Sequence, residues 1–386
     1  MKLYGFVRND DKVGFRNKVL LLPAVDCVND ITYKIAQSFD DVSTFRFSTG
    51  CGMLPEDVEQ IMHTQVNVAA NPNIAAIVIV GMGCESIDLE ALYERIKLLN
   101  KPCSLVKLHS EGGYNNFIDK VKRLTNTYAE DISKARREIV PISSINLGLE
   151  CGASDPASGI SANVALGKAV DLIIEMGGTA IFSETPEAIG TEKILAKRCS
   201  DKNVADKIVN IITGYERMIK TKTGRDVRSA NPVPGNIKAG ITTLEEKAMG
   251  CILKGGSSKI QEVLDYAELP SKKGLIFMNT PGFDAYSLCG LIAGGTQIIV
   301  FTTGKGTPCG TPISPVIKVI SNTIAYNQQK DITDYNAGML IDGVKNLEQI
   351  TDELMQLIID TANGTKTKAE ILGVNVMDIW PLYGTF

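Results

Sequence analysis

Apolar and polar positions along this chain fall in alternating blocks. The runs Val19–Val25, Val42–Phe47, Ala75–Val80 and Ser104–Leu108 are short and partly β-branched, and amphipathic stretches such as Pro55–Val68, Asp88–Leu99 and Asn116–Arg136 lie between or after them. Buried strands alternating with helices of this length imply βαβ units and a mainly parallel sheet. A charged segment ending at Arg136-Arg137-Glu138, with Pro141 beyond it, places a boundary so that residues 1–138 form an N-terminal α/β domain. A second series follows in residues 139–386, with strands over Ile145–Leu149, Thr179–Phe182, Gly274–Met278 and Gln297–Phe301. Helices are expected over Ala162–Met176, Pro186–Arg198 and Val204–Met218. This predicts a larger, doubly wound parallel-sheet domain. Between Lys222 and Gly240 the chain is rich in Gly, Pro, Asn and Lys and predicts a long loop, a kind of segment that often carries function.

Composition mainly excludes. The chain has 386 residues, 44% hydrophobic and 22% charged, with a net charge of −4, which fits folded domains and argues against long disorder. No basic stripe interleaved with aromatics speaks for nucleic acid. No apolar run approaches the length of a membrane span and no signal-peptide core opens the chain, so the expectation is a cytoplasmic protein without a membrane partner. Nine cysteines, none in a C-x-x-C pair, are expected to be reduced thiols.

Chemistry concentrates where predicted strands end. Glu150-Cys151-Gly152-Ala153-Ser154-Asp155-Pro156-Ala157-Ser158-Gly159 crowds a thiol, two carboxylates and two hydroxyls onto one strand-to-helix turn, and open α/β sheets bind ligands at that edge. Cys51 and Cys84 also follow predicted strands beside glycines, although a free cysteine is often only a small buried hydrophobe. Glu184, before a helix at the end of Thr179–Phe182, joins Asp155 in offering hard oxygen ligands to a divalent cation. Glu187 suits a helix cap equally well, and Asp155 suits a turn. Asn231 to Asn236 and Glu245-Glu246-Lys247 bring amides, carboxylates and an ammonium to the predicted loop. Lys247 would carry protons if its pKa were depressed, while Lys254 in Lys254-Gly255-Gly256 reads as either a site or a surface lysine. Thr302-Thr303-Gly304-Lys305 suits an anion but lacks Walker A spacing. Gly81-Met82-Gly83 opens like a dinucleotide fingerprint, yet Ser86 stands at the third glycine. With only His63 and His109, no two-histidine zinc motif exists.

These motifs together resemble the altronate and galactarate dehydratase family, which includes the large subunit of sulfolactate sulfo-lyase. The resemblance runs nearly end to end, through Gly5-Phe6-Val7-Arg8, Val13 to Asn17, Gly50-Cys51-Gly52, Gly83-Cys84-Glu85, Cys151 to Asn163 and Ser183 to Glu187. It continues through Asn231 to Asn236, Glu246-Lys247, Phe301 to Gly306, Pro315 to Lys318 and Asp334 to Gly338. It implies lyase chemistry on hydroxy acids, usually with iron, in a dimerising α/β domain followed by a Rossmann-like domain. Several members carry an additional small β-clip domain, and because this chain opens at Gly5-Phe6, a separate small subunit is the expected partner. Phe47 stands where the family often has histidine, Ala153 and Val164 depart from the pattern, and Lys305 replaces an arginine, losing its bidentate fork.

Dehydrating a dihydroxy acid requires removing a weakly acidic proton beside a carboxylate, and a metal stabilises the resulting charge. The expectation is a divalent metal, Fe2+ or alternatively Mn2+, among Cys151, Asp155 and Glu184, with Lys247 as base and Glu246 and Glu187 as further catalytic groups. Ser154, Ser158, Asn163, Asn231, Asn236, Thr302, Thr303 and Lys305 are the expected substrate contacts. A 4Fe–4S cluster on Cys51, Cys84 and Cys151 is the alternative cofactor. Alternative functions are release of sulfite and pyruvate from sulfolactate, a nicotinamide-dependent oxidoreductase, and a binding subunit active only with its partner.

Overall fold

A computed structural model describes residues 2–385. Its fourteen strands are β1 Leu3–Val7, β2 Val13–Gly14, β3 Lys18–Pro23, β4 Val42–Ser43, β5 Ile74–Gly81, β6 Cys103–Lys107 and β7 Glu138–Val140, then β8 Asn146–Gly152, β9 Thr179–Phe182, β10 Ile260–Leu264, β11 Gly274–Met278, β12 Ile298–Thr303, β13 Val316–Ile320 and β14 Tyr335–Asn336. They form a parallel four-stranded sheet in the order β4-β3-β5-β6 and a parallel seven-stranded sheet in the order β10-β11-β9-β8-β12-β13-β14. Helices cover both sheets, so β11, β12 and β13 are buried along their whole length, as parallel strands should be.

The α/β class and the two parallel sheets agree with the pattern in the sequence. Boundaries differ where tertiary contacts override it. Only Val42 and Ser43 of the run Val42–Phe47 pair as strand, because Thr44 onward peels away toward the C-terminal residues. The expected helix Pro186–Arg198 is a 3-10 turn, Thr185–Ala188, and a short helix, Glu192–Lys197. In place of one long loop, residues 222–240 hold the turn Val227–Ser229 and the helix Pro234–Ala239. An antiparallel sheet, β2-β1-β7, has no counterpart in the pattern, since β2 has two residues and the short β1 and β7 are partly exposed. It puts the expected boundary at 138/139 inside β7.

The apolar stretch Pro156–Glu175 has the length and composition of a membrane span, contrary to the expectation that none exists, but its helical part packs into the core against the helix Leu347–Ala362. The two parallel sheets share a hydrophobic cluster in which Leu20, Ile61 and Ile77 meet Ile276, Leu288 and Ile299. Two buried asparagines stitch the seam. Asn71 Nδ2 donates to the carbonyls of Ile292 and Thr296 (2.9 and 3.0 Å), and Asn73 Nδ2 to those of Gln297 and Ile313 (2.9 and 3.2 Å).

Candidate active site

In the large sheet β8 and β9 run outward in one direction, and the chain later returns to place β12 on the other side of β8. This reversal opens a crevice beyond the carboxyl ends of β8 and β12, the usual ligand position in such sheets. Cys151 ends β8, Glu184 follows β9, and Thr302 and Thr303 end β12.

Buried in this crevice is a nest around Lys254, which is 0% exposed. Its ammonium donates to Cys151 Sγ (3.2 Å), Cys251 Sγ (3.1 Å) and the carboxylate of Glu184. The two sulfurs are 3.4 Å apart, and the backbone N–H of Cys151 donates to Glu184 Oε2 at 3.0 Å. Burial by itself lowers the Lys254 pKa, but the negative charge of Cys151, Cys251, Glu184 and Glu150 outweighs it and holds the ammonium well above its usual range. The Cys151 thiol is pushed up by its contact with Cys251 and by burial. Glu184 adopts a left-handed backbone conformation (φ 71°), a strained choice for a non-glycine residue that turns its carboxylate back under β8. Gly167 admits the lysine turn, because a Cβ there would lie 2.2 Å from the carbonyl oxygen of Leu253.

A second pair adjoins the nest. Lys247 Nζ donates to Glu187 Oε1 (2.8 Å) and Asn231 Oδ1 (3.0 Å), while the buried Oε2 of Glu187 has no partner. Burial raises the Glu187 pKa against the opposing pull of Lys247. For Lys247, burial lowers the pKa, but Glu187 more than compensates and the net shift is upward. Within β8 itself, Glu150 is fully buried, with Oε2 accepting from Ser183 (3.0 Å) and Ser287 (2.7 Å) and Oε1 unpartnered. Asp284, pushed up to about 6 by burial and by Glu184, contacts Cys309 Sγ at 3.3 Å.

Of the expected metal ligands, Cys151 and Glu184 come together and Asp155 does not. Asp155 Oδ1 accepts from Ser158 N–H (2.8 Å), Ser158 Oγ (2.7 Å) and Ser321 Oγ (2.7 Å), and its Oδ2 accepts from Asn322 (2.9 Å). It is a capping-box residue with its lone pairs engaged. Its place is taken by Cys251, whose Sγ lies with Cys151 Sγ and a Glu184 oxygen within 4.8 Å of one another. Glu246 also stands away from the crevice, exposed and closed onto Thr242 N–H and Oγ1 (both 2.9 Å).

Several expected substrate contacts instead hold loops together, as buried amides and hydroxyls must find partners. Asn163 bridges Thr302 Oγ1 (2.6 Å) and the Gly250 carbonyl (2.9 Å), and Asn236 donates to the carbonyl of Ser154 (2.8 Å). Thr303 Oγ1 accepts from Gly306 N–H (3.1 Å). Lys305 remains exposed at the rim, donating to the Gly235 carbonyl (2.6 Å). Cys51 and Cys84 are exposed at the edge of the four-stranded sheet, whereas Cys151 is buried beside Cys251, so the structure does not gather the thiols of the expected cluster. The turn Gly81-Met82-Gly83 has no room for a pyrophosphate, because the Glu85 carboxylate already accepts from the N–H groups of Met82 (3.0 Å), Gly83 (2.6 Å) and Cys84 (2.7 Å).

Paired ammonium and carboxylate groups buried at a switch point mark the candidate site of an enzyme of the parallel α/β class. Comparison with known proteins specifies the class. The family model described as D-galactarate/altronate dehydratase, C-terminal, matches residues 142–385, and that of the D-galactarate dehydratase/altronate hydrolase second domain matches residues 5–133. The chain therefore belongs to the galactarate/altronate dehydratase family, a family of lyases. The altronate dehydratase of Bacillus subtilis is 35% identical, over 93% of this chain and 73% of its own length, and that of Escherichia coli is 33% identical, over 93% and 74%. The (2R)-sulfolactate sulfo-lyase subunit beta of Chromohalobacter salexigens is 31% identical, over 98% of this chain and 97% of its own length.

Proposed function

We propose that the chain removes water from a sugar acid of the altronate or galactarate type to give a 2-keto-3-deoxy acid. The proposal includes a divalent metal, Fe2+ or in its place Mn2+, a homodimer, a small β-clip subunit as partner, and a cytoplasmic setting. The convergence of Cys151, Cys251 and Glu184 on one buried point carries this reading. Two thiols and a carboxylate suit a borderline divalent ion, and these three residues would hold it. Lys254 now compensates their charge, so binding a cation requires this ammonium to give up its proton or withdraw. When bound, the metal supplies Lewis-acid stabilisation of the charge that develops on the substrate carboxylate.

Proton transfer falls to the adjacent pair. Lys247, held as an ammonium by Glu187, is a donor and no longer suits the role of base. Glu187 suits it, since its pKa is raised and Oε2 is free to take the proton at C2. Lys247 and Asn231 fix the other oxygen of Glu187, and Lys305 at the rim meets the distal anionic end. Glu187→Gln should lower kcat by about 10²–10⁴-fold with little change in KM, measured as keto acid formed from altronate and galactarate anaerobically with ferrous iron. Wild-type kcat in this variant would refute the assignment. A second reading, elimination of sulfite from sulfolactate to give pyruvate, is favoured by the match over 97% of the sulfo-lyase subunit. Sulfite release without turnover of any sugar acid would select it.

A further inference from the structure

Free cysteines are usually among the most buried side chains. Here Cys151, Cys251, Cys289 and Cys309 are buried and Cys103 and Cys199 partly so, while Cys27, Cys51 and Cys84 are exposed. The three exposed thiols share one place in the fold. Cys27 sits in the turn Asp26–Val28 after β3, Cys51 in the loop after β4, and Cys84 just after β5, strands that adjoin one another in the four-stranded sheet.

Backbone contacts lock these loops together. Asp26 N–H donates to the Thr49 carbonyl (2.9 Å), joining the Cys27 and Cys51 loops, and Ser86 N–H donates to the Gly50 carbonyl (2.8 Å), joining the Cys51 and Cys84 loops. Gly50 (φ 111°) permits the closest approach, since a Cβ there would lie 2.7 Å from the Ala24 oxygen and from Val25 Cα. Partial loss of hydration and then the charges of Glu85, Cys51 and Cys27 raise the Cys84 thiol, in keeping with three loops joined at one edge.

The spacing excludes the simplest occupant. One ion with metal–sulfur bonds of about 2.3 Å needs its sulfurs close together. Among the described residues, the donor group within 4.8 Å is Cys151, Glu184 and Cys251, and the exposed trio is not such a group. Three thiols on neighbouring, hydrogen-bonded loops suit instead a wider occupant with a preference for thiolates, as iron–sulfur clusters have.

We propose that Cys27, Cys51 and Cys84 hold a 4Fe–4S cluster at the carboxyl edge of the four-stranded sheet, with the fourth iron free of any protein ligand. The site is separate from the Lys254 nest and independent of the function assigned there. A preformed core enters by ligand exchange. Three bonds from iron to carrier thiolates break, three bonds to the cysteine sulfurs form, and the cysteine protons leave on the carrier thiols without any change in oxidation state. The open iron would accept an oxygen ligand such as a carboxylate.

The test uses the full chain, purified anaerobically and incubated with a synthetic 4Fe–4S core carried by 2-mercaptoethanol. The wild type should retain about four iron and about four sulfide per chain, with visible thiolate-to-iron absorption, after desalting. Cys27→Ser, Cys51→Ser and Cys84→Ser should each lose at least about tenfold of that iron at unchanged Tm, whereas Cys151→Ser should retain it. In the loaded wild type, peptide mapping should show Cys27, Cys51 and Cys84 protected from alkylation, a readout that needs no variant. No retained cluster in the wild type, full retention in Cys27→Ser, alkylation of the three thiols in loaded protein, or loss only in Cys151→Ser would overturn the proposal.

Discussion

The carboxyl edges of the two parallel sheets treat polar groups in opposite ways. At the seven-stranded sheet, Glu184, Lys254 and Glu187 are buried, Lys247 is partly so, the four form two ion pairs, and Glu150 and Glu187 each keep one oxygen without a partner. At the four-stranded sheet the thiols are exposed, and Glu85 occupies the amide groups of its own loop. Burying charge costs several kcal/mol per ion, so a fold that concentrates such groups sustains that cost through their mutual neutralisation. The first edge is therefore electrostatically taut and the second relaxed, and substitutions should separate them.

The largest effect is expected at Lys254. Lys254→Met leaves two thiols and a carboxylate without their cation, which should cost about 3–5 kcal/mol in urea unfolding as well as turnover. An unfolding midpoint equal to wild type would show that the nest is not under charge tension.

Next comes a pH dependence. Asp284 has a pKa raised to about 6, above the unfolded value near 3.9, so the folded state binds the extra proton between those limits. Its contribution is fully present below about pH 4 and is lost as pH rises through about 6, on the order of 3 kcal/mol. Asp284→Asn should remove this component from the profile of Tm against pH. Superimposable profiles would place the titration elsewhere.

Glu85→Gln should give the smallest change, about 1 kcal/mol, because the amide oxygen still accepts from the Gly83 and Cys84 N–H groups and only the partly exposed Met82 N–H loses its acceptor. Turnover should stay at the wild-type level. A loss comparable to that in Lys254→Met would erase the distinction between the two edges.

How far the sequence discloses the site follows from the range of the contacts. Cys151, Glu184 and Glu187 were legible because parallel topology sends the ends of neighbouring strands to one edge, whatever their separation along the chain. Cys251 and Lys254 are not on strand ends. They arrive through the packing of the turn Ile252–Gly255 against Gly167, a fit between distant glycines that no periodicity encodes. The only local trace is the pair Gly255-Gly256 beside the lysine. Asp155 shows the converse, since Asp-Pro with Ser three residues on is a capping pattern, and local hydrogen bonding took the carboxylate that the ligand reading required. The helical layers were legible from apolar spacing, while β1, β2 and β7 were not, because strands of two to five residues are too short to leave such a signature.

The seam stitched by Asn71 and Asn73 also bears on how the molecule comes apart and how it diversifies. With apolar side chains of both sheets interleaved and amides crossing between them, heat should melt the protein in one calorimetric step. Exchanging one half for the corresponding half of a relative would leave mismatched shapes and stranded amides, so the two halves are constrained to drift as a single inheritance.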